Sequence, residues 1–236
     1  MRPTEFERRY HAIRVSYTDR QGLANSRVVN VHIYRQTSAT ATFPEKDAIL
    51  SALDQELRQA GGLALIDVER SHRVMIARAF YGKGSPDDCA TALRHAVRYE
   101  RTEPDRLQHY CDNVAQIGLD CSGFVNNFFR AAGTIPHDRD ISEYGRGAAR
   151  DALDQMQPND ALVFTDAQGN VLAHPRAHIA VLENTPDAQG QAVVVESASS
   201  LGGLTHSTYT FTRVGRNVFQ VRRPSGSSHV RVVLVR

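Results

Sequence analysis

Apolar residues recur at different spacings along this chain, and each change of spacing marks an element. Alternation over Tyr10 to Tyr17 and Arg27 to Arg35 predicts two strands, and the short apolar run Leu63 to Val68 a third. Between them Ile49, Leu53 and Leu57 lie at helical spacing. Thr42-Phe43-Pro44-Glu45 has the form of a Thr-x-x-Glu capping box at the start of that helix, and Gly61-Gly62 marks its end. Residues 1–71 therefore read as a small N-terminal α+β unit. His11 and His32 stand apart from any chemical partner there, so the expected role of the unit is packing or docking.

The middle of the chain reads as helical. Ser85 caps a helix with Pro86 at its first position and Asp87 and Asp88 in its first turn, running to about Glu100. Thr102 and Pro104 open a second arm that ends near Gly118, giving a helical hairpin at about 85–118. Cys89 and Cys111 lie on its two arms, either as a disulfide in an oxidising compartment or as two small buried apolar side chains. A helix from Cys121 to Ala132 carries Phe124, Val125, Phe128 and Phe129 on one face and is followed by Gly133; another is expected near Gly145 to Met156. Strands follow at Ala161 to Thr165, Ala177 to Leu182, Ala192 to Ser197, Thr208 to Arg213, Val218 to Arg222 and Val230 to Val235. Helices followed by a run of strands predict an α+β fold with an antiparallel sheet.

Composition narrows the function classes. With 41% hydrophobic and 23% charged residues the chain belongs with globular proteins rather than disordered or fibrous ones. Its 28 basic and 26 acidic residues are dispersed, so no basic stripe offers itself to nucleic acid. No apolar run approaches the ~20 residues of a membrane span, and the start of the chain lacks the apolar core of a secretory signal, so the general export route is not expected. Three cysteines are too few for a disulfide scaffold, and their odd number raises the question of a reactive thiol.

Cys121 answers it best. It opens a helix, where unpaired N–H groups and the positive end of the dipole favour a thiolate, and the small polar residues Asp120, Ser122 and Gly123 surround it. His178 opens the strand His178-Ile179-Ala180-Val181-Leu182 and is the candidate base. A hairpin centred on Asp187 sets Glu196 opposite His178, where a carboxylate would orient the imidazole. A strand histidine also serves as a satisfied core residue, Glu196 as its local partner, and a register slip of one residue would turn Glu196 away. His174, His206 and Ser197 are the fallback candidates. Zinc is not expected, because the cysteines and histidines lack metal-ligand spacing.

Asp120-Cys121-Ser122-Gly123-Phe124-Val125 resembles the nucleophile motif of the NlpC/P60 family of papain-like cysteine peptidases. Met156-Gln157-Pro158-Asn159-Asp160-Ala161-Leu162-Val163-Phe164 resembles that family's Pro-Gly-Asp-Leu-Val-Phe-Phe turn and strand. His178-Ile179-Ala180-Val181 resembles its His-Val-Gly-Ile strand, and Val195-Glu196-Ser197 falls where its third polar residue is expected. Tyr81-Gly82-Lys83-Gly84-Ser85-Pro86 is similar to its Tyr-x-x-Gly-Gly segment.

The resemblance covers about residues 72 to 224. It implies a papain-like α+β core with helices packed on an antiparallel sheet, in a catalytic domain over 72–236 that carries the helical hairpin as an insertion. By the same resemblance Cys121 is the nucleophile, His178 the base and Glu196 the orienting residue, while Tyr81, Asp120 and Ser122 bind substrate, the latter two at a free amine. Glu196 stands where the family commonly has His or Asn, Asn159 replaces a turn glycine, and Tyr110 competes with Tyr81 because it lies nearer the usual distance before the cysteine. Cys121 precedes His178, the order of unpermuted members.

The activity so implied is hydrolysis of an amide in bacterial peptidoglycan stem peptides, at the bond between D-glutamate and the diamino acid, with no metal or organic cofactor. Delivery by a specialised secretion machine as an antibacterial effector, or release by lysis, would bring such an enzyme to the periplasm or cell wall; cytoplasmic recycling of wall peptides is the alternative. A delivered toxin leaves room for an inhibitor, or immunity, protein as partner. The competing classes are an amidase, deamidase or acyl-transferring toxin with the same triad, and a degenerate binding module.

Overall fold

In the computed structural model, which describes residues 1–19, 21–36, 41–60 and 63–236, the chain forms two compact units. One is Arg9–Asp120; the other joins Met1–Arg8 to Cys121–Arg236. The division expected after residue 71 falls inside a continuous helix and is not where the chain divides. The segment at 85–118 accordingly belongs to the Arg9–Asp120 unit.

Within that unit, the end of α1 (Pro3–His11) leads into an antiparallel hairpin of β1 (Ile13–Thr18) and β2 (Ala24–Val29). Tyr10 is thus helical, not the start of a strand, and its hydroxyl donates to the Gly84 carbonyl at 3.1 Å. In α2 (Pro44–Ala60) Ile49 and Leu53 are buried as their spacing requires. The helix begins later than the Thr42 capping box would place it, because Glu45 is spent elsewhere: its carboxylate accepts from Arg101 and Tyr110. The expected end at Gly61-Gly62 lies outside the described residues.

The strand expected over Leu63 to Val68 is instead the first part of α3 (Leu63–Phe80). A short, mostly apolar stretch does not by itself separate strand from helix. Here the buried Ile76, Ala79 and Phe80 continue it at helical spacing. α4 (Pro86–Arg98) starts as its sequence signs it: the Ser85 hydroxyl accepts from Asp88 N–H at 3.1 Å, and the Asp88 carboxylate accepts from Ser85 N–H at 2.8 Å. Its Cys89, Ala92, Leu93 and Ala96 form one buried face, and the helix packs against β1 and α3. The second arm of the expected hairpin is irregular, a 3-10 turn at Pro104–Arg106, the short α5 (Leu107–His109) and a π turn at Tyr110–Val114.

The second unit begins its main segment with α6 (Cys121–Ala131) and α7 (Ile141–Gly145). The helix expected over Gly145 to Met156 does not form. Asp140 and Glu143 cap α7, which stops at Gly145; β3 (Ala148–Ala149) then pairs with the last strand, and Leu153–Gln155 is a 3-10 turn. Two glycines, Gly145 and Gly147, weaken a helix there, and a sheet edge recruits the intervening backbone.

The strands β4 (Ala161–Thr165), β5 (Ile179–Leu182), β6 (Gln191–Ala198), β7 (Gly203–Gly215), β8 (Val218–Arg223) and β9 (Gly226–Leu234) follow the alternation in the sequence. Each pairs antiparallel with its successor through β9, and β9 also pairs with β4, so the sheet closes into a six-stranded barrel. Leu162, Phe164, Ala180, Leu182, Ala192, Val194, Tyr209, Phe211, Phe219, Val221, Val230 and Val232 fill it, every second residue of each strand.

The other parity of β5 and β6 carries the buried Ile179, Val181 and Val195, and α6 packs on these two strands. Phe6 lies 5.9 Å, centroid to centroid, from both Phe124 and Phe128 of α6, and Thr4 N–H donates to Glu183 Oε2 at 2.9 Å. These contacts explain why the first eight residues belong to this unit.

The turn into β4 is fixed by a buried ion pair. Asp160, 1% exposed, accepts from Arg150 Nε and Nη2, both at 2.8 Å, and from Gln157 N–H at 2.9 Å. Removing one partner strands the other charge. Asp160→Ala should therefore lower unfolding free energy by about 3 kcal/mol, read from the urea midpoint at unchanged slope; a shift within the error of the titration would show the pair to be dispensable.

Candidate functional site

The nucleophile candidate takes its position from α6. Cys121 is the first residue of that helix, 5% exposed, and its thiol is free. The leading N–H groups of a helix have no acceptor within it, so the Cys121 end presents donors and the positive pole of the dipole. The phenylalanines behind it anchor the helix on β5 and β6 and thereby hold the sulfur at the end of the sheet.

His178 immediately precedes β5, and its carbonyl already accepts from Phe164 N–H at 3.1 Å. Strand parity groups it with Ala180 and Leu182, on the interior face of the barrel. Glu196 shares that face through Val194 and Ala192 of β6. The observed register differs from the expected one: Val181 pairs with Val195 and Leu182 with Val194, which centres the hairpin on residue 188. The Asp187 carboxylate shapes this turn by accepting from Gln189 and Gln191 N–H. Glu196 is consequently diagonal to His178 rather than directly opposite. A shift of two residues keeps the face, and a diagonal pair is within reach of long side chains.

The contact is made. His178 Nε2 donates to Glu196 Oε2 at 2.6 Å, and Cys121 is the other group close enough to act on the imidazole. With Nε2 committed to the carboxylate, Nδ1 is the nitrogen left for the sulfur. Burial alone would depress the basicity of His178, but hydrogen bonds to Cys121 and Glu196 outweigh it and lift its pKa to about 9. Glu196 is 0% exposed, and burial would raise its carboxyl; the donors around it, His178 first, instead hold it below the usual value.

Sequence reasoning missed two of those donors. The Tyr209 hydroxyl donates to Glu196 Oε1, and Arg223 Nη1 donates to Oε2 at 3.0 Å. Both continue an apolar inward parity, Tyr209 with Phe211 and Arg223 with Phe219 and Val221. A polar or charged residue at such a position is the signal that could have found them. The Arg223 guanidinium lies over the Phe164 ring, 4.7 Å from its centroid, and that ring meets His178 at 4.6 Å in a T-shaped contact.

The remaining candidates divide between the two units. Ser122 follows Cys121 in α6 and is half-buried. In the Arg9–Asp120 unit, the Asp120 carboxylate is held by Lys83 at 2.5 Å, so an amine seeking Asp120 meets a lysine already in place. Tyr81 is 39% exposed, accepts from Lys46 Nζ at 3.0 Å and packs edge-on against Phe43. The next residue, Gly82, has φ +71° and would bring a Cβ within 2.3 Å of the Arg35 carbonyl, so the turn of this segment admits only glycine. Tyr110 is buried and donates to Glu45 at 2.9 Å, a core role that removes it as a competitor to Tyr81.

Of the fallback residues, His206 bonds Glu7 at 2.8 Å, His174 is exposed, and Ser197 is buried on the face of β6 opposite to Glu196. Cys89 and Cys111 are free and fully buried, and burial pushes both thiols up, away from reactivity near neutrality. Among the described residues no three His, Cys, Asp or Glu side chains gather as a metal ion would require. No helix is long and apolar enough to cross a membrane among those residues. Asn159, in the turn before β4, takes φ +72°, the left-handed conformation that a glycine would otherwise supply.

The raised pKa of His178 ties folding to pH. A group whose pKa is higher in the folded state adds stability that is complete below its unfolded value and is lost as pH climbs through the folded one. The His178 contribution should therefore be whole below about pH 6.5 and gone above about pH 9. Melting temperature should fall across that window, and His178→Ala should flatten the fall; an identical slope in the variant would place the linkage elsewhere.

Comparisons of this chain with protein-family models, with curated proteins and with solved structures find no match.

Proposed function

We propose that this protein is a cysteine peptidase of the NlpC/P60 type that hydrolyses an amide bond in peptidoglycan stem peptides. The observation that carries the reading is the 2.6 Å hydrogen bond between His178 and the buried Glu196, with Cys121 acting on the same imidazole and the imidazole held toward its protonated form. The motif around Cys121 and the order of the cysteine and histidine support the family, and the family's chemistry supports the substrate.

The sulfur of Cys121, its proton held by His178, attacks the amide carbonyl carbon. The oxyanion is stabilised by main-chain N–H groups at the start of α6, Cys121's own among them. His178 passes its Nδ1 proton to the leaving nitrogen, the C–N bond breaks, and the amine departs with an acyl group left on sulfur. Water then enters; His178 takes one of its protons while the oxygen attacks the thioester, the C–S bond breaks, and the carboxylic acid leaves with the thiol regenerated. Glu196 keeps Nε2 occupied throughout, so that Nδ1 stays aimed at the reacting atoms. No step calls for a metal or an organic cofactor.

Asp120 contributes less to this reading than its motif implies, because Lys83 holds its carboxylate. Ser122 and Tyr81 are the other substrate-binding residues of the reading. The wall substrate lies outside the cytoplasm, so the reading includes delivery to that compartment as an antibacterial effector.

Two measurements test it. Digestion of purified peptidoglycan should release stem fragments identifiable by mass spectrometry, with Cys121→Ala reduced by about a thousandfold or more. Intact muropeptides, or equal release by the alanine variant, would sink the peptidase reading in favour of an acyl-transferring or deamidating toxin or a binding module. Expression directed to the bacterial periplasm should lyse cells while cytoplasmic expression leaves them intact, and harmlessness in both places would count against a delivered toxin. Iodoacetamide near neutral pH should label Cys121, 5% exposed at the start of α6, in preference to Cys89 and Cys111, which are 0% exposed.

A further inference from the structure

Glu196 is a charged group with no exposure at all, set on the interior face of an otherwise apolar barrel. An ionised carboxylate in that position is tolerated only when donors surround it. Arg223 Nη1 and His178 Nε2 converge on the same oxygen, Oε2, at 3.0 and 2.6 Å, while Tyr209 occupies Oε1. With three donors from three directions the carboxylate has neither a free oxygen to take a proton nor freedom to rotate away from the imidazole. The Phe164 ring, which contacts both the guanidinium and the imidazole, fixes the plane of each.

We propose that Arg223 is a positioning residue of the active site: it holds Glu196 as an aligned anion and through it sets the protonation of the His178 imidazole. The inference rests on the reading of Cys121 and His178 as nucleophile and base. Charges along the series alternate, from guanidinium to carboxylate to imidazolium, so each member stabilises the next. The groups that face His178 or its carboxylate are Cys121 from α6, Glu196 from β6, Tyr209 from β7 and Arg223 from β8. Arg223 acts on His178 in two opposed ways. By keeping Glu196 charged and aligned it favours the imidazolium; by its own positive charge it opposes it. In this proposal the first effect outweighs the second, because the guanidinium holds the same oxygen that the imidazole uses.

Arg223→Gln in the full chain tests this, because glutamine keeps a flat polar group while removing the charge and the reach of the guanidinium to Glu196. The His178 ring is titrated by NMR, and the rate of Cys121 alkylation by iodoacetamide is followed against pH. The His178 midpoint should fall by about one pH unit or more, and alkylation at neutral pH should slow by about tenfold. An unchanged midpoint in the folded variant overturns the proposal, leaving Arg223 a structural pillar; a raised midpoint overturns it in the opposite sense, making Arg223 a brake.

Should the variant not fold, the wild-type chain decides. The Arg223 guanidinium resonances should move with the His178 midpoint, and a guanidinium that does not register that titration overturns the proposal. Neither readout needs a substrate. Failure to release wall fragments would therefore remove the peptidase reading alone, whereas release of fragments with an unmoved His178 midpoint in Arg223→Gln would remove this inference alone.

Discussion

A single buried carboxylate governs the architecture of the site. Glu196 has no exposure to solvent, so its charge must be met by protein donors, and those donors come from positions distant in sequence: His178 ahead of β5, Tyr209 on β7 and Arg223 at the end of β8. Only a sheet whose consecutive strands are hydrogen-bonded neighbours, with one face turned inward, brings these groups to one carboxylate. The barrel is thus both the apolar core of its unit and the frame that orients the imidazole. A half-satisfied network would be worse than none, because each unpaired polar group in a low-dielectric interior costs more than a neutral replacement.

The sequence was legible where the signal is local. The Ser85 cap, the helix opening at Cys121 and the alternation of β4 to β9 each rest on residues a few positions apart, and each forms as its pattern requires. Failures came where tertiary structure decides. The stretch Leu63 to Val68, apolar but for Asp67, had no local feature to separate strand from helix. The segment after Gly145 was claimed by a sheet edge, and the Asp187 turn closes one residue later than symmetry about Asp187 suggests.

His178 and Glu196 nevertheless kept a common face, because an error of two residues preserves the alternation that an error of one would have destroyed. Arg223 stayed hidden for a different reason. Its parity marks it as inward only once the strand is known to bound a closed barrel, and a charged residue at a strand end reads by default as solvent-facing.

The three cysteines show how environment divides one chemistry. Cys89 and Cys111 lie sealed within the Arg9–Asp120 unit, where burial disfavours their ionised forms, and they act as small apolar side chains. Cys121 heads a helix beside an imidazole drawn toward its cationic state. The same side chain is core filling in two positions and a candidate for covalent chemistry in the third.

Closure of the barrel by β8 against β9 also fixes when that chemistry can exist. As the chain leaves the ribosome, Cys121 emerges long before the strand that bears Arg223, and the pairing that seals the interior awaits β9. Contacts so far apart along the chain form late and slowly. Nascent copies therefore carry the sulfur without His178, Glu196 and Arg223 assembled around it until β9 has emerged.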